Sequence, residues 1–166
     1  NLVAAERSQK VPETHPSTRT RLVWKIDRRE AGQKRDMQSP KPREYDLVAL
    51  GGTFEKLHIG HKALLTKALE TGERVVIGLT TDRMARGTKS HAVASYDKRR
   101  SELIRLLGRM GARERVEIVP LDDPYGPTTV DPRIRALVVS LETASRLEEI
   151  NRIRMSKGLK PLVPIT

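Results

Sequence analysis

The chain has 166 residues, of which 37% are hydrophobic and 32% charged, and this composition suits one domain with a mostly aliphatic core. It contains no cysteine, which excludes a disulfide framework and a thiolate metal site, and its apolar runs of about five residues are too short to span a membrane. The net charge of +11 favours anionic partners such as nucleotides or nucleic acid. No signal-peptide pattern opens the chain, so the cytoplasm is the expected compartment.

Residues 1–44 differ in character from the rest of the chain. They are rich in Lys and Arg, contain prolines at 12, 16, 40 and 42, and show almost no periodic apolar spacing outside residues 22–26. We interpret this segment as a basic arm or linker. It precedes a single domain over residues 45–166.

From Tyr45 onward, short aliphatic runs alternate with helical patterns. Near-continuous aliphatic runs are typical of buried parallel strands, and they occur at 46–50, 75–79, 116–119, 136–139 and 162–165. Apolar residues at helical spacing predict helices over 61–71, 97–110 and 143–157, each followed by a glycine that suits a helix end, with Ser95 as a candidate N-cap. This alternation predicts an α/β, Rossmann-like, doubly wound parallel sheet of about five strands.

Residues with phosphate-binding character follow the first predicted strand, in the sequence GGTFEKLHIGH. In such sheets ligands bind beyond the C-terminal ends of the strands. Gly51 and Gly52 allow a sharp turn and a close ligand approach. Gly60 and His61 are predicted to open a helix, whose unpaired N–H groups favour a phosphate. Because His58 and His61 flank a glycine, both rings can converge on one anion.

This sequence also carries a family resemblance. GGTFEKLHIGHKALL resembles the first motif of the HxGH nucleotidyltransferases. The later runs make the resemblance more specific, since the chain is similar to the archaeal and eukaryotic phosphopantetheine adenylyltransferases in VVIGLTTD, DPYGPT, ALVVSLET and EINRIRMSKGLKPL, in that order. The similar region spans about residues 45–165.

The resemblance implies transfer of an adenylyl group from ATP to 4′-phosphopantetheine, with Mg²⁺, giving dephospho-coenzyme A and pyrophosphate. It implies that Thr53 orients the attacking phosphate, that His61 donates to the α-phosphate, and that His58 assists at the triphosphate. By the same matching, the positions that bind ATP or phosphate are Gly51, Gly52, Thr53, Phe54, Gly60, His61, Ser140, Glu142 and Thr143. Those beside the acceptor are Lys89, Asp123, Tyr125 and Gly126.

Two departures from the family pattern stand out. Position 141 is Leu, where the family has an acidic residue. The family also continues past its final strand with an ISSTxIR segment that contacts the triphosphate, whereas this sequence ends at Thr166. A fragment, a degenerate copy and a lost segment are the alternatives, and the activity of the chain without that segment is open.

Four alternatives accompany this interpretation. A zinc site at the two histidines would need His91 as a third ligand. The string HIGH, with RMSKG at 154–158, faintly resembles class I aminoacyl-tRNA synthetases, although RMSKG lies inside a helical pattern. Another HxGH transferase with a different acceptor is a closer competitor. A non-catalytic nucleic-acid-binding protein would rely on the basic arm, where Trp24 is the sole candidate for base stacking. The sequence does not establish an oligomeric state, and a monomer is the expectation.

Overall fold

The computed structural model describes residues 42–88, 91–140 and 143–166. The predicted basic arm therefore lies almost entirely outside the described residues. Two of the predicted site residues, Lys89 and Glu142, lie outside them as well.

The described residues form a five-stranded sheet in the order β3-β2-β1-β4-β5, with every neighbouring pair parallel. The strands are β1 (Tyr45–Gly52), β2 (Gly72–Thr80), β3 (Val116–Leu121), β4 (Ala136–Val138) and β5 (Val163–Ile165). The helices between them are α1 (Ile59–Thr71), α2 (Asp82–Thr88), α3 (Tyr96–Arg109) and α4 (Ala144–Ser156). The predicted Rossmann-like α/β fold with about five parallel strands is confirmed.

The sheet is buried on both faces, which explains why its strands are aliphatic throughout. Side chains alternate between the faces, so Val48 of β1 packs in one apolar cluster and Ala49 in the other. The first cluster also contains residues of α1 and α3, and the second contains Leu147 and Ile150 of α4. Because β1 and β4 are parallel neighbours, their C-terminal ends lie at the same edge of the sheet.

The junction between β1 and α1 differs from the prediction in two ways. Gly51 and Gly52 belong to β1 and pair in register with Gly78 and Leu79 of β2, so they do not form the turn that follows the strand. The helix begins at Ile59, with His58 as its N-cap. Gly60 and His61 therefore occupy its first turn.

Glycine ends the three predicted helices for two different reasons. Gly111 and Gly158 have φ angles of +64° and +73°, the left-handed conformation expected at a helix end. Gly72 is extended, with φ −107° and ψ 137°, and is itself the first residue of β2. A Cβ atom there would lie 2.8 Å from Cγ2 of Val48, so close packing requires this glycine.

The remaining helix ends include one confirmed cap and one helix that was not predicted. The Ser95 side chain accepts the amide of Lys98 at the start of α3, as predicted. The short α2 follows β2 directly, and Thr81 caps it by accepting the amides of Met84 and Ala85. Among the described residues, no helix is long and apolar enough to cross a membrane.

Candidate active site

A cleft of about 740 Å³ opens at the C-terminal edge of the sheet, a volume in the usual range for a small-molecule site. Its walls come from the end of β1 and the loop after it, from the turn after β3, and from the start of α4. It brings together nine of the predicted site residues, namely Gly51, Gly52, Thr53, Phe54, His58, His61, Tyr125, Ser140 and Thr143.

Three predicted residues do not line this cleft: Gly60, Asp123 and Gly126. The Asp123 carboxylate accepts the backbone amides of Tyr125 and Gly126, both at 2.8 Å, which lowers its pKa below the ordinary value. Gly126 has φ +50° and lies against the Leu121 side chain. Asp123 and Gly126 thus shape the turn that presents Tyr125, and their assignment to acceptor binding stays a prediction.

His58 and His61 are placed by the start of α1. The Gly60 amide donates to Nδ1 of His58 at 3.1 Å, and the His58 amide donates to Nδ1 of His61 at 3.5 Å. This reciprocal arrangement resembles a capping box, with imidazole nitrogens as the acceptors. It holds the two rings with their centroids 4.0 Å apart at the N-terminus of a helix, where an anion is favoured.

These two contacts favour one tautomer of the neutral rings. A ring nitrogen that accepts a hydrogen bond carries no proton, so acceptance at Nδ1 favours a proton on Nε2. Burial, followed by the proximity of His58, lowers the pKa of His61, while a backbone hydrogen bond with Lys56 acts in the opposite direction. The lowered pKa therefore favours a neutral His61 ring at neutral pH.

Phe54 shapes the loop between β1 and α1 from below. Among the described residues it is the one non-glycine residue with positive φ, at 49°, and its side chain is only 2% exposed. The ring packs 5.0 Å from the His61 ring, and a Cβ atom on Gly52 would approach it to 3.1 Å. The Phe54 side chain lies in the floor of the cleft and supports the His61 ring. The assignment of Phe54 to ATP or phosphate binding stays a prediction.

Ser140 and Thr143 line another part of the cleft, at the start of α4. The Ser140 amide donates to Oγ1 of Thr143 at 2.9 Å, and the two hydroxyl oxygens lie 3.2 Å apart. Thr143 is the N-cap of α4, but its side chain does not cap the helix by a hydrogen bond. Both hydroxyls remain at the surface of the cleft, where they can meet a ligand.

Comparison with known proteins gives a consistent result. A cytidylyltransferase-like family model matches residues 49–166. The phosphopantetheine adenylyltransferase of Methanopyrus kandleri is 47% identical over 115 residues, which cover 69% of this chain and 73% of that protein. The protein of the same name from Pyrobaculum aerophilum is 43% identical over 115 residues, with 69% and 74% covered. The chain belongs to the phosphopantetheine adenylyltransferase family.

A solved structure supports the same fold. The crystal structure of a protein with unknown function from Archaeoglobus fulgidus aligns with a TM-score of 0.65 at 39% sequence identity. The alignment covers 71% of this chain and 86% of that one. The cleft described above therefore belongs to a sheet arrangement shared with a solved structure.

The sequence did not predict two buried arginines of this member of the phosphopantetheine adenylyltransferase family. Arg99 of α3 and Arg154 of α4 are both fully buried, and their guanidinium groups donate mainly to backbone carbonyls. No signal in the sequence separates them from the many exposed arginines. Arg154 binds the carbonyls of Thr128, Asp131, Ile134 and Lys160 and so ties the turn after β3 to α4.

The position of Arg154 also decides against the synthetase alternative. RMSKG begins with this buried residue inside α4, and α4 runs to Ser156. A mobile catalytic loop would need those residues to move freely. Here the first of them is held by backbone carbonyls on two other segments, the stretch between β3 and β4 and the loop after α4.

A third residue that was not predicted, Arg146, lines the cleft from the first turn of α4. Its side chain is exposed. It is the cation that this wall presents beside Ser140 and Thr143. A charge at this position suits the negatively charged part of a nucleotide.

Proposed function

We propose that this chain transfers the adenylyl group of ATP to 4′-phosphopantetheine, giving dephospho-coenzyme A and pyrophosphate. The observation that carries the proposal is the meeting of Thr53, His58 and His61 in one cleft at the N-terminus of α1. An oxygen of the acceptor phosphate attacks the α-phosphorus of ATP. The bond from that phosphorus to the oxygen bridging to the β-phosphate breaks, and pyrophosphate leaves.

The described residues contribute position and charge to this reaction. The Thr53 hydroxyl orients the attacking phosphate beside the end of β1. The Nε2–H groups of His61 and His58 donate to phosphate oxygens as negative charge develops on them, and the positive end of α1 acts in the same direction. Because the chemistry occurs between two substrates, holding them in line is the main task of the protein.

Two walls of the cleft receive the two substrates in this proposal. ATP lies along the wall formed by Ser140, Thr143 and Arg146, where the guanidinium faces its phosphates. The acceptor lies beside the turn after β3, where the Tyr125 hydroxyl is oriented by donating to Glu149 at 2.6 Å. The family also assigns roles here to Lys89 and Glu142, and these two assignments stay predictions.

Mg²⁺ is proposed as part of the ATP substrate. Within residues 42–88, 91–140 and 143–166, no three His, Asp or Glu side chains converge in a way that could hold a metal ion. Magnesium often binds nucleotides mainly through phosphate oxygens and water. When bound there, it neutralises charge on the triphosphate.

The test is a product assay with matched substrates. The protein is incubated with Mg-ATP and, in separate reactions, with 4′-phosphopantetheine, nicotinamide mononucleotide or riboflavin phosphate, and pyrophosphate and the adenylylated product are measured. Among the three acceptors, we expect only 4′-phosphopantetheine to give the adenylylated product. CTP in place of ATP is the control for the nucleotide and should give little product. The proposal would be wrong if another acceptor turned over faster than 4′-phosphopantetheine, or if CTP turned over faster than ATP.

A nucleic-acid role for the basic arm has no support among the described residues, since the arm lies outside them. It stays a separate prediction. RNA binding with a steep dependence on salt concentration would support it.

A further inference from the structure

The guanidinium of Arg99 lies beneath the loop that carries the first motif. Nη1 donates to the Thr53 carbonyl at 2.9 Å and to the Thr80 carbonyl at 2.8 Å. Nε donates to the Ala94 carbonyl at 2.7 Å, and Nη2 donates to the Asp82 carboxylate at 3.0 Å. One side chain thus joins the ends of β1 and β2 to the start of α3.

These contacts leave the guanidinium little freedom to turn. The side chain is fully buried, and its acceptors surround the planar group on each side. Asp82 is held in turn, because its carboxylate also accepts the Tyr96 amide at 2.6 Å. A planar donor fixed in this way sets the position of every carbonyl that it binds.

The loop needs such an external support. Thr53 is followed directly by Phe54, whose left-handed backbone is unfavourable for a residue with a bulky side chain. A strained conformation persists only where the surrounding structure holds it. The Thr53 carbonyl, one peptide bond away, is the point at which Arg99 holds this loop.

We propose that Arg99 is a positioning residue, which fixes Thr53 and thereby the direction in which the acceptor phosphate meets ATP. The proposal rests on the function proposed above. Arg99 is fully buried below the loop and does not line the cleft. Its effect should therefore appear in the turnover number more than in substrate affinity, since misplacement by about an ångström can cost roughly a hundredfold in rate.

Arg115 offers a matched control. Its guanidinium also donates to three backbone carbonyls, those of Leu69, Gly72 and Glu73, at 2.6 to 2.9 Å. These carbonyls lie at the opposite end of β2, away from the cleft. Lysine substitution at either arginine keeps the positive charge and removes the planar set of donors.

The first experiment compares R99K and R115K by steady-state kinetics and thermal melting. We expect R99K to lower kcat about tenfold or more while KM for ATP and for the acceptor changes less than about threefold. We expect R115K to lose comparable thermal stability and to keep kcat. Equal kcat losses in the two variants, in proportion to their stability losses, would overturn the proposal.

A second readout does not require activity. Loosening of the Thr53–Phe54 loop should let water reach the His61 ring, and burial is the main cause that lowers the pKa of His61. Titration by NMR should therefore show a higher His61 pKa in R99K than in the wild type, and no change in R115K. An unchanged His61 pKa in R99K contradicts the proposal, even if the chain fails to transfer adenylyl groups at all.

If R99K does not fold, Asp82→Asn takes its place. This change weakens the ion pair at Asp82, its half-exposed member, and keeps an oxygen to accept the Tyr96 amide. We expect a smaller loss of kcat, by several-fold, with a rise in the His61 pKa. If both kcat and the His61 pKa stay unchanged in this variant, the result contradicts positioning by the Arg99–Asp82 pair.

Discussion

His61 reaches the cleft with Nδ1 engaged by the backbone and its ring resting on Phe54. Replacement by alanine removes one donor at the reacting phosphate and leaves the cleft open. We expect H61A to lower kcat by about a hundredfold or more with KM for ATP nearly unchanged, since a lost transition-state donor costs roughly 3 kcal/mol. Steady-state kinetics measures both constants.

Ile59 supplies the control for this substitution. It lies in the same helical turn, is 84% exposed, and does not line the cleft. I59A should therefore keep the kcat of the wild type. If a rise in KM for ATP accounts for the whole loss of kcat/KM in H61A, then His61 contacts ATP in the ground state.

The lowered pKa of His61 also gives a stability prediction. The folded chain binds a proton at this ring less readily than the unfolded chain, whose histidine has a pKa near 6.5. The two states therefore differ little in proton binding above that pH, and stability falls as the pH drops from it towards the lower folded pKa. Protonation also removes the acceptor for the His58 amide.

We expect the melting temperature of the wild type to fall more steeply than that of H61A between about pH 7 and pH 5. Thermal melts of both proteins across this range measure the difference. Parallel curves would show that His61 titrates alike in the folded and unfolded chains.

At the scale of elements, we expect alanine substitution at two glycines to have opposite effects on thermal stability. Gly126 has φ +50°, and a Cβ atom there would overlap Cδ2 of Leu121. We expect G126A to lower the melting temperature and raise KM for the acceptor, because the turn that presents Tyr125 must shift. Melting curves and acceptor titrations test both effects.

Gly108 is the matched control, since it lies within α3 and a Cβ atom there would contact nothing within 4 Å. Alanine is favoured over glycine in a helix by up to about 0.5–1 kcal/mol, and Gly108 lies in the last turn of α3, so G108A should stabilise the protein slightly without changing kinetics. A stable G126A with normal acceptor kinetics would show that the turn can relax.

At the scale of the whole molecule, we expect the melting temperature to depend on how many residues of the basic arm are removed. Composition favours the view that residues 1–44 are dispensable for the fold. Within that range, however, Arg43 donates to the Leu69 carbonyl at 2.9 Å and pairs with Glu73 at 3.2 Å. We expect removal of residues 1–39 to leave the melting temperature nearly unchanged, and removal of 1–44 to lower it by a few degrees.

Thermal melts of the two truncated chains check this prediction, with R43A in the full chain as the control for the lost contacts. R43A should reproduce the loss seen on removing 1–44. A large loss on removing 1–39 would show that the arm stabilises the domain.

Sequence patterns predicted the strands and the first motif because those features are local. Aliphatic runs identify buried strands, and two histidines around a glycine identify a helix start that can bind phosphate. Arg99 was missed because an arginine in a charged helix appears exposed until the tertiary structure supplies its acceptors. Gly72 was assigned to a helix end. Its close contact is with Val48 of β1, and α1 separates the two in the sequence, so the contact could not be predicted from a local pattern. The short, polar α2 has no apolar period to reveal it.

The central position of β1 has a consequence for how this site forms during synthesis. β1 leaves the ribosome before the other strands, yet it pairs on one side with β2 and on the other with β4. The helix that follows β1 supplies the histidines early, whereas Ser140 and Thr143 emerge later, after β4. A nascent chain therefore holds half of the cleft, with one edge of its central strand unpaired, until β4 arrives. Nucleotide can stabilise the fold only from that moment onward.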